Sequence, residues 1–551
     1  MTRMIASSNG ALAAPSQRQP SSTAWAVIPT SASPSQVAVA HAARAAPHLS
    51  HSMKPGLVVG AAIATAVGTS LAGRRKDAHL GRWLRGVRGN VRYSGQVAQR
   101  AVPTWEELRE EIEATPSGQR LKAEEEKRAK GLSPHTDAKL RRFSSDEGPP
   151  RVTLFRDTAA WCPYCQKVWL LLEAKGVDFK VEKINMRSYG DKPEWFLEKV
   201  PRGLLPAVEI DGRFMTESLD IMMTIESTFH DEDKPMMPRE GVQRSRAIQL
   251  LELERQVFGA WCSFLFYPSL PFLDSSTSDF ESALQQVNDE LEANNASPWF
   301  LPYEHPTIVD MQYVSHIERM VASALYWKGF DIRAKFPKID EWLTAFEELP
   351  YYVATKGDYY THVMDIPPQY GQPYGDSSKA VEAAQAAIDA SKARLPVRWE
   401  LDPEPWTGMQ RRIEEEEHLQ EAAWKLISNS KAVARFCCRA AGPDVGKWAF
   451  ANPMKASLSD PYASPNEDLI QSVDALLRIA AVAMLRGDAS VARDARSLAE
   501  KEVGVPPGGW DVAAKCLEYL RDRVGVPRDM QMPAAKLFRG CLGEVVTNLR
   551  A

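Results

Sequence analysis

The chain has 551 residues, of which 44% are hydrophobic and 25% are charged, and its formal net charge is −4. This length predicts about three or four domains, and the small net charge gives no indication of a nucleic-acid partner. Seven cysteines are too few for a disulfide framework in so long a chain. The sequence therefore indicates a reducing compartment.

The N-terminal region carries basic charge without acid. Its first acidic residue is Asp77, and the residues before it are rich in Ser, Ala, Pro and Thr. Such a composition cannot bury a core, and it is typical of organelle transit peptides. Residues 1–76 are predicted to be a disordered targeting region for the chloroplast. A mitochondrial address and an untargeted tail are the alternatives. The mature chain is expected to begin between Gly73 and Pro150.

Eighteen uncharged residues, Gly56–Gly73, lie inside this region. This length is at the lower limit for a membrane-spanning helix, and Gly, Ala and Thr dilute the hydrophobicity. We interpret the stretch as part of a multi-step targeting signal. A weak anchor and a helix removed on import are the alternatives, so membrane association is left open. Residues 77–149 are predicted to be a charged, helical linker, with the folded body starting near Arg151.

The most informative motif is Cys162-Pro163-Tyr164-Cys165, between a short apolar strand pattern and a helix pattern that stops at Gly176. The free N–H groups at a helix N-terminus favour a thiolate on the first cysteine. Cys165, one turn along, can then resolve a mixed disulfide. The alternative, a zinc half-site, lacks nearby partner ligands, so no metal is expected. Lys167 is expected either to bend back over the turn or to be an exposed lysine.

The segments after this motif complete a thioredoxin-like pattern of order β-α-β-α-β-β-α. Asp211-Gly212 is a strong hairpin signal between the last two strands. Leu205-Pro206 lies just before the third strand, where a cis peptide would direct the backbone of Leu205 toward the thiols. The pattern around it favours this cis peptide over an ordinary trans proline.

Three further stretches carry a family resemblance: Lys192-Pro-Glu-Trp-Phe196, Pro201-Arg-Gly-Leu-Leu-Pro-Ala207 and Glu217-Ser218. They resemble the N-terminal domain of the glutathione S-transferase superfamily, most closely its cysteine-type omega, lambda and dehydroascorbate-reductase classes. Most of those proteins keep only the first cysteine, whereas Cys-Pro-Tyr-Cys is the glutaredoxin form.

The resemblance implies a glutathione site with Cys162 and Cys165 as the catalytic residues. Leu205 would pair its backbone with the cysteinyl part of glutathione. Glu217 and Ser218 would hold the γ-glutamyl end, and Lys192 would approach the glycyl carboxylate. Tyr164 and Pro206 complete the predicted glutathione-binding set.

The resemblance covers residues 150–365 and implies two domains. Residues 150–232 would form a thioredoxin-like, glutathione-binding α/β domain, and 240–366 an all-α domain with a capping box at Thr307–Asp310. His316 and His362 are expected to be structural. Either a second-substrate pocket or ordinary core would contain the aromatic residues of this domain, namely Trp261, Phe264, Phe266, Tyr267, Tyr326 and Trp327.

The rest of the chain is predicted to be a linker over 367–405 and a further helical extension over 406–551. Ser464–Glu467 has the sequence of a capping box before an amphipathic helix. Cys437 and Cys438 are expected to be small core residues. The extension resembles the helical tail of plastid-type members of the superfamily, and no activity is predicted for it.

The predicted function is that of a glutathione-dependent thiol transferase that reduces disulfides, glutathionylated thiols or dehydroascorbate. One alternative is a transferase that conjugates glutathione to electrophiles, and another is a non-catalytic scaffold in an organelle. The expected partners are glutathione and a small oxidised or electrophilic substrate, and a homodimer is compatible with the resemblance.

Overall fold

The computed structural model describes residues 102–268, 275–294, 296–389, 415–445 and 457–551. The predicted targeting region 1–76, with its uncharged stretch, lies outside the described residues. Among the residues within them, no helix combines the length and apolar character that a bilayer crossing requires.

A five-stranded sheet forms the centre of the α/β domain. Its strands are β1 (Leu140–Arg141), β2 (Val152–Asp157), β3 (Phe179–Ile184), β4 (Ala207–Ile210) and β5 (Arg213–Met215). They lie in the order β1-β3-β2-β4-β5. Strand β2 pairs in parallel with β3 and antiparallel with β4, and β4 turns into β5 through Asp211-Gly212. Both turn residues have positive φ, as the predicted hairpin requires.

The predicted order of this domain is confirmed, and a further strand, β1, joins its edge. β1 pairs antiparallel with β3, with Leu140 opposite Lys180. Two residues carry too little alternation to be recognised as a strand from sequence. The helices of the domain are α3 (Pro163–Lys175), α4 (Glu194–Lys199) and α5 (Ser218–Thr228). α3 ends at Gly176 in the left-handed conformation, as expected.

The second domain is all-helical, as predicted, and is organised around one central helix that is buried over most of its length. At the start of that helix, Asp310 accepts hydrogen bonds from the N–H groups of Thr307 (2.8 Å) and Phe300 (3.0 Å). The predicted capping box is present there. The helices are α6 (Gly241–Phe266), α7 (Ser276–Glu292), α8 (Ile308–Lys328), α9 (Ile332–Lys335), α10 (Pro337–Glu347), α11 (Pro350–Thr355) and α12 (Tyr359–Tyr370), with α8 at the centre.

The predicted end of this domain is wrong in detail. α12 continues through Pro367 and Pro368 to Tyr370, and a further helix, α13 (Lys379–Asp389), lies within the predicted linker 367–405. Each proline removes one intrahelical hydrogen bond. The helix is nonetheless anchored by two buried side chains, Val363 one turn before Pro367 and Ile366 directly before it.

The extension is helical, as predicted, and Cys437 and Cys438 are buried in its core. The expected capping box at Ser464 is not formed. Instead Asn466 accepts from the Asp468 N–H (3.1 Å) and caps a short 3₁₀ turn. The helices are α14 (Glu415–Ser428), α15 (Ser430–Cys437), α16 (Ile470–Arg486), α17 (Ala489–Arg493), α18 (Ala495–Val503), α19 (Trp510–Arg521) and α20 (Met532–Arg550).

The folded body begins well before Arg151, which corrects the prediction of a linker over 77–149 for residues 102–149; residues 77–101 lie outside the described residues. Helices α1 (Trp105–Glu113) and α2 (Pro116–Ala129) precede the sheet. Leu108 and Ile112 of α1 belong to the same apolar core as the extension helices. In addition, the indole N–H of Trp105 donates to Asp474 (2.7 Å). The N-terminal helices therefore pack on the C-terminal extension, a long-range contact with no local sequence signal.

Candidate functional site

The two motif cysteines occupy different environments at the start of α3. Cys162 is the N-cap residue and is partly exposed, whereas Cys165 is 1% exposed. Both are free thiols. Pro163 is the first helical residue, a position where its missing N–H removes no hydrogen bond. Cys162 is therefore the sulfur that a substrate can reach.

Asp157, the buried last residue of β2, was not among the site residues predicted from the sequence. Its Oδ2 accepts from the N–H groups of Trp161 (2.7 Å) and Cys162 (3.2 Å). Its Oδ1 has no hydrogen-bond partner among the described residues. A carboxylate oxygen of Asp157 and the Sγ atoms of Cys162 and Cys165 lie within 4.8 Å of one another. An acid at the end of an apolar strand, just before the thiols, was the available signal.

These three groups could offer a metal ion three ligand atoms, one fewer than a structural zinc site uses. Their arrangement also suits proton transfer. Burial, followed by the hydrogen bond and charge of Cys162, raises the pKa of the Cys165 thiol well above its usual value. Cys165 therefore keeps its proton until a base removes it, and Asp157 is the adjacent acceptor.

The predicted glutathione-binding residues lie on the loops and the helix start that follow. The Leu205-Pro206 peptide is cis, as predicted, and Leu205 packs against the apolar cluster that contains Phe155 and Phe196. Ser218 is the first residue of α5, and Glu217 before it has a φ of 66°. Such a conformation is costly for a non-glycine residue and is concentrated at functional sites.

Lys192 is held within the α/β domain. Its ammonium group donates to the carbonyl of Asn185, which uses one of its three N–H donors. Burial lowers the pKa of Lys192, while the charges of Cys165 and Cys162 oppose this shift. The structure thus places Lys192 within electrostatic range of both thiols.

Of the two expectations for Lys167, the exposed lysine is wrong. Its side chain is buried, and its Nζ lies 4.8 Å from the ring centroid of Tyr164. Burial lowers the pKa of Lys167 to about 8, against the opposing charges of Glu254 and Cys162. The Tyr164 ring is in turn packed edge-on against His316, with centroids 5.3 Å apart.

A buried polar network connects the thiol turn to the helical domain. The guanidinium of Arg319 on α8 donates to the carbonyl of Trp161 and to Gln166 Oε1 (2.9 Å), and it lies 5.0 Å from the Trp161 ring centroid. Gln166 Nε2 donates in turn to Glu318 (3.0 Å). Glu318 also contacts His362 Nε2 (2.8 Å).

His316 and His362 are structural in this arrangement, as expected. His316 Nδ1 lies 2.7 Å from Glu254, matching the contact of His362 with Glu318. Burial lowers the pKa of both imidazoles, and their carboxylate partners oppose this shift. Each histidine therefore has a buried carboxylate partner, which is compatible with a structural role.

Only part of the predicted aromatic set gathers near the thiol turn. Trp261 and Phe266 pack around Tyr370, with ring centroids 5.3 and 6.0 Å away, and Tyr370 lies 6.3 Å from Trp161. Tyr370 was missed because it was assigned to the linker. The other predicted residues do not join this group: Phe264 stacks on Phe280, Tyr326 packs on Trp327, and Tyr267 is exposed.

Comparison with known proteins agrees with this fold. Two family profiles match: "Glutathione S-transferase, N-terminal domain" over residues 161–228 and "Glutathione S-transferase, C-terminal domain" over residues 271–345. The chain is 30% identical over 206 residues to glutathione S-transferase L3 of Arabidopsis thaliana, an alignment that covers 36% of this chain and 81% of that protein. The chain belongs to the glutathione S-transferase family.

Two further matches are similar in extent. Protein IN2-1 homolog A of Oryza sativa subsp. japonica is 29% identical over 222 residues, covering 39% of this chain and 86% of that protein. The crystal structure of glutathione transferase Omega 3C from Trametes versicolor aligns at 22% identity with a TM-score of 0.34, covering 38% of this chain and 91% of that chain. The predicted resemblance to the cysteine-type glutathione S-transferases is confirmed, and the two family profiles end before the extension begins.

The buried Lys167 gives this glutathione S-transferase a specific pH dependence of stability. Its pKa is about 8 in the folded chain against 10.5 as the ordinary value. Between these limits the unfolded chain binds more protons than the folded one, so the free energy of unfolding should increase with pH. We expect Lys167→Met to lose this increase. Urea unfolding of both proteins over about pH 7.5–10.5, the range in which Lys167 titrates, measures this increase. Parallel profiles of unfolding free energy against pH would contradict the prediction.

Proposed function

We propose that this glutathione S-transferase catalyses glutathione-dependent thiol transfer, reducing disulfides, glutathionylated thiols or dehydroascorbate. One observation carries the proposal: the accessible sulfur of Cys162 lies at a helix N-terminus, directly above a buried thiol and a buried carboxylate. A site that conjugates glutathione needs a hydroxyl donor to the glutathione sulfur, whereas a cysteine in that position forms a mixed disulfide with it.

The first step is attack of the Cys162 thiolate on the sulfur of a glutathionylated thiol. This forms a disulfide between Cys162 and glutathione and releases the substrate thiol, which takes up a proton. In the one-thiol route, the thiolate of a second glutathione attacks the glutathione sulfur of this disulfide. Oxidised glutathione leaves, and the Cys162 thiolate is restored.

Cys165 offers a second route from the same intermediate. Asp157 accepts the proton of Cys165 while the Cys165 sulfur attacks Cys162 Sγ, and glutathione leaves as a thiolate that solvent protonates. The product is an intramolecular disulfide, which two glutathione molecules reduce in turn. The raised pKa of Cys165 is the reason that this route needs a base.

The proposed glutathione contacts follow the resemblance. The free backbone N–H groups at the start of α5 can bind the γ-glutamyl carboxylate beside Ser218, and Glu217 can accept from the α-ammonium group. Leu205 and Lys192 are proposed to hold the cysteinyl and glycyl parts. A homodimer stays a prediction.

Turnover of three substrates tests the function: a mixed disulfide, dehydroascorbate and a chloro-nitro-aromatic electrophile, each with glutathione and a chain that starts at residue 102. Reduction of either of the first two supports the proposal. Turnover of the electrophile alone would replace it with conjugation, and no turnover of any of the three would favour the scaffold alternative.

We expect Cys162→Ser to abolish thiol transfer and Cys165→Ser to retain a substantial part of it. The reason is access, because substrate can reach the first sulfur while the second is buried. Steady-state rates with a glutathionylated peptide measure both variants. Equal loss in the two variants would mean that the dithiol route is obligatory.

We expect Asp157→Asn to slow formation of the Cys162–Cys165 disulfide by about 10²-fold, as loss of a general base does. The amide oxygen can still accept the two backbone hydrogen bonds that position the turn. Glutathione release from the preformed mixed disulfide measures this step. In the Cys165→Ser background, Asp157→Asn should have little further effect on thiol transfer. An equal slowing there would show that Asp157 supports the fold of the turn and does not act on Cys165.

We expect Glu217→Ala and Ser218→Ala to raise the KM for glutathione with little change in kcat. They contact the end of glutathione away from the sulfur, so their contribution is uniform binding. Initial rates at varied glutathione, with Ser227→Ala at the other end of α5 as the control, measure this effect. A fall in kcat at unchanged KM would contradict the assignment.

We also propose delivery to a plastid, on the composition of residues 1–76. The buried Val102 and the packing of α1 narrow the expected start of the mature chain to between Gly73 and Val102. N-terminal sequencing of the protein from isolated plastids measures this. A mature chain that begins at Met1 would contradict removal of a transit peptide, and one that begins after residue 113 would lack the core contacts of α1.

A further inference from the structure

A cavity of about 880 Å³ lies where the extension meets the α/β domain. Helices α14 and α15, residues 458–465 and the segment after α19 supply most of its wall. Phe538 of α20 and Tyr189, on the short turn after β3, supply further parts. Cavities of roughly 300–1,000 Å³ are the size that drug-sized ligands occupy. Neither the proposed thiol chemistry nor the family profiles assign anything to this cavity.

The wall combines apolar side chains with an excess of positive charge. Five of its side chains are cationic and three are carboxylates. The cations are Lys425, Arg435, Arg439, Arg523 and Arg528, and the carboxylates are Asp137, Asp460 and Asp529. Leu426, Val433, Phe436, Leu520 and Phe538 contribute apolar surface. A ligand that matches this wall needs both a negative group and an apolar body.

Three of the five cations have counter-ions close by. Arg435 makes a bidentate contact with Glu467 (2.6 and 2.7 Å). Arg528 pairs with Asp529 (2.7 Å), and Lys425 lies 3.9 Å from Asp137. The charge of these three groups is therefore compensated within the protein.

Arg439 and Arg523 differ from them, because neither forms an ion pair with any residue that the structure describes. Arg439 donates to the carbonyl of Asp460 (3.2 Å), and Arg523 makes only a long contact to the carbonyl of Tyr519 (3.4 Å). The buried Nε of Arg523 has no partner within the described ranges. These two guanidinium groups therefore retain unused donors, and neither has a carboxylate oxygen within 4.0 Å among the described residues.

Two neighbouring aromatic rings, tilted by 55° to each other, lie beneath these guanidinium groups. Arg439 lies over Phe436 at 5.3 Å and Arg523 over Tyr519 at 3.7 Å, and the two ring centroids are 5.2 Å apart. Stacking on an aromatic face restricts a guanidinium group without using its N–H donors. The cavity thus has two oriented donor groups beside apolar wall, which is an arrangement suited to one anionic head group.

We propose that this cavity binds a small amphiphilic anion, with its head group at Arg439 and Arg523 and its apolar body against the side chains of α14, α15 and α20. This inference does not rest on the proposed thiol chemistry. A carboxylate and a phosphate monoester share the required head-group charge, so the experiment compares both with a neutral molecule of the same chain length.

Isothermal titration of the full chain with decanoate, decyl phosphate and decanol, in saturating glutathione, tests the proposal. We expect the two anions to bind and decanol to bind at least about tenfold more weakly, since charge-assisted hydrogen bonds contribute about 1.5–3 kcal/mol. The tighter anion identifies the head group. Equal binding of decanol, or no binding of either anion, would overturn the proposal.

Variants locate the site. Arg439→Gln and Arg523→Gln should each weaken anion binding about tenfold. The control, Arg493→Gln, removes an exposed arginine of α17 and should not change anion binding. Ala432→Trp should reduce binding by filling the cavity without removing a charge, and thiol transfer should stay unchanged in all four. If an arginine variant unfolds, the affinity of the Ala432→Trp variant is the deciding measurement. Full anion affinity in Ala432→Trp would mean that the anion binds elsewhere and would overturn the proposal.

Discussion

The buried guanidinium of Arg319 is the contact on which the geometry of the site depends. It binds the carbonyl of Trp161, immediately before the first thiol, and the side-chain oxygen of Gln166, one turn into α3. One side chain of the helical domain therefore fixes both ends of the thiol turn. Its positive charge is balanced nearby by Glu318, which also binds Gln166 and His362. Removing one member of such a network leaves an unpaired charge in the interior, at a cost of about 3–5 kcal/mol.

Next to this network, the two cysteines differ in their surroundings. Position at the helix start exposes the first sulfur, while burial raises the pKa of the second thiol. One oxygen of the buried Asp157 has no hydrogen-bond partner among the residues that the structure describes, which is costly in a buried position. A carboxylate kept in that state beside a high-pKa thiol is consistent with a group retained for proton transfer.

The sequence predicted best those features whose signal is local. The strand, thiol turn and helix up to Gly176, the hairpin at Asp211-Gly212, the cis Leu205-Pro206 peptide and the Thr307–Asp310 box each lie within a few neighbouring residues. Two of the missed features depend on distant partners: β1 on its pairing with β3, and Tyr370 on its packing against Trp261. Asp157 is different, because an acid just before the thiols was visible in the sequence, whereas its position beside both sulfurs was not. Segments 102–149 and 367–389 looked like linkers because their partners lie elsewhere in the chain.

The contact of α1 with the extension also has a consequence for the order of events during synthesis. Trp105 must find Asp474, which leaves the ribosome 369 residues later. At about 5–20 residues per second, the first helices wait roughly 20–70 s for the surface that covers them. Until then Leu108 and Ile112 are exposed to solvent and to other proteins.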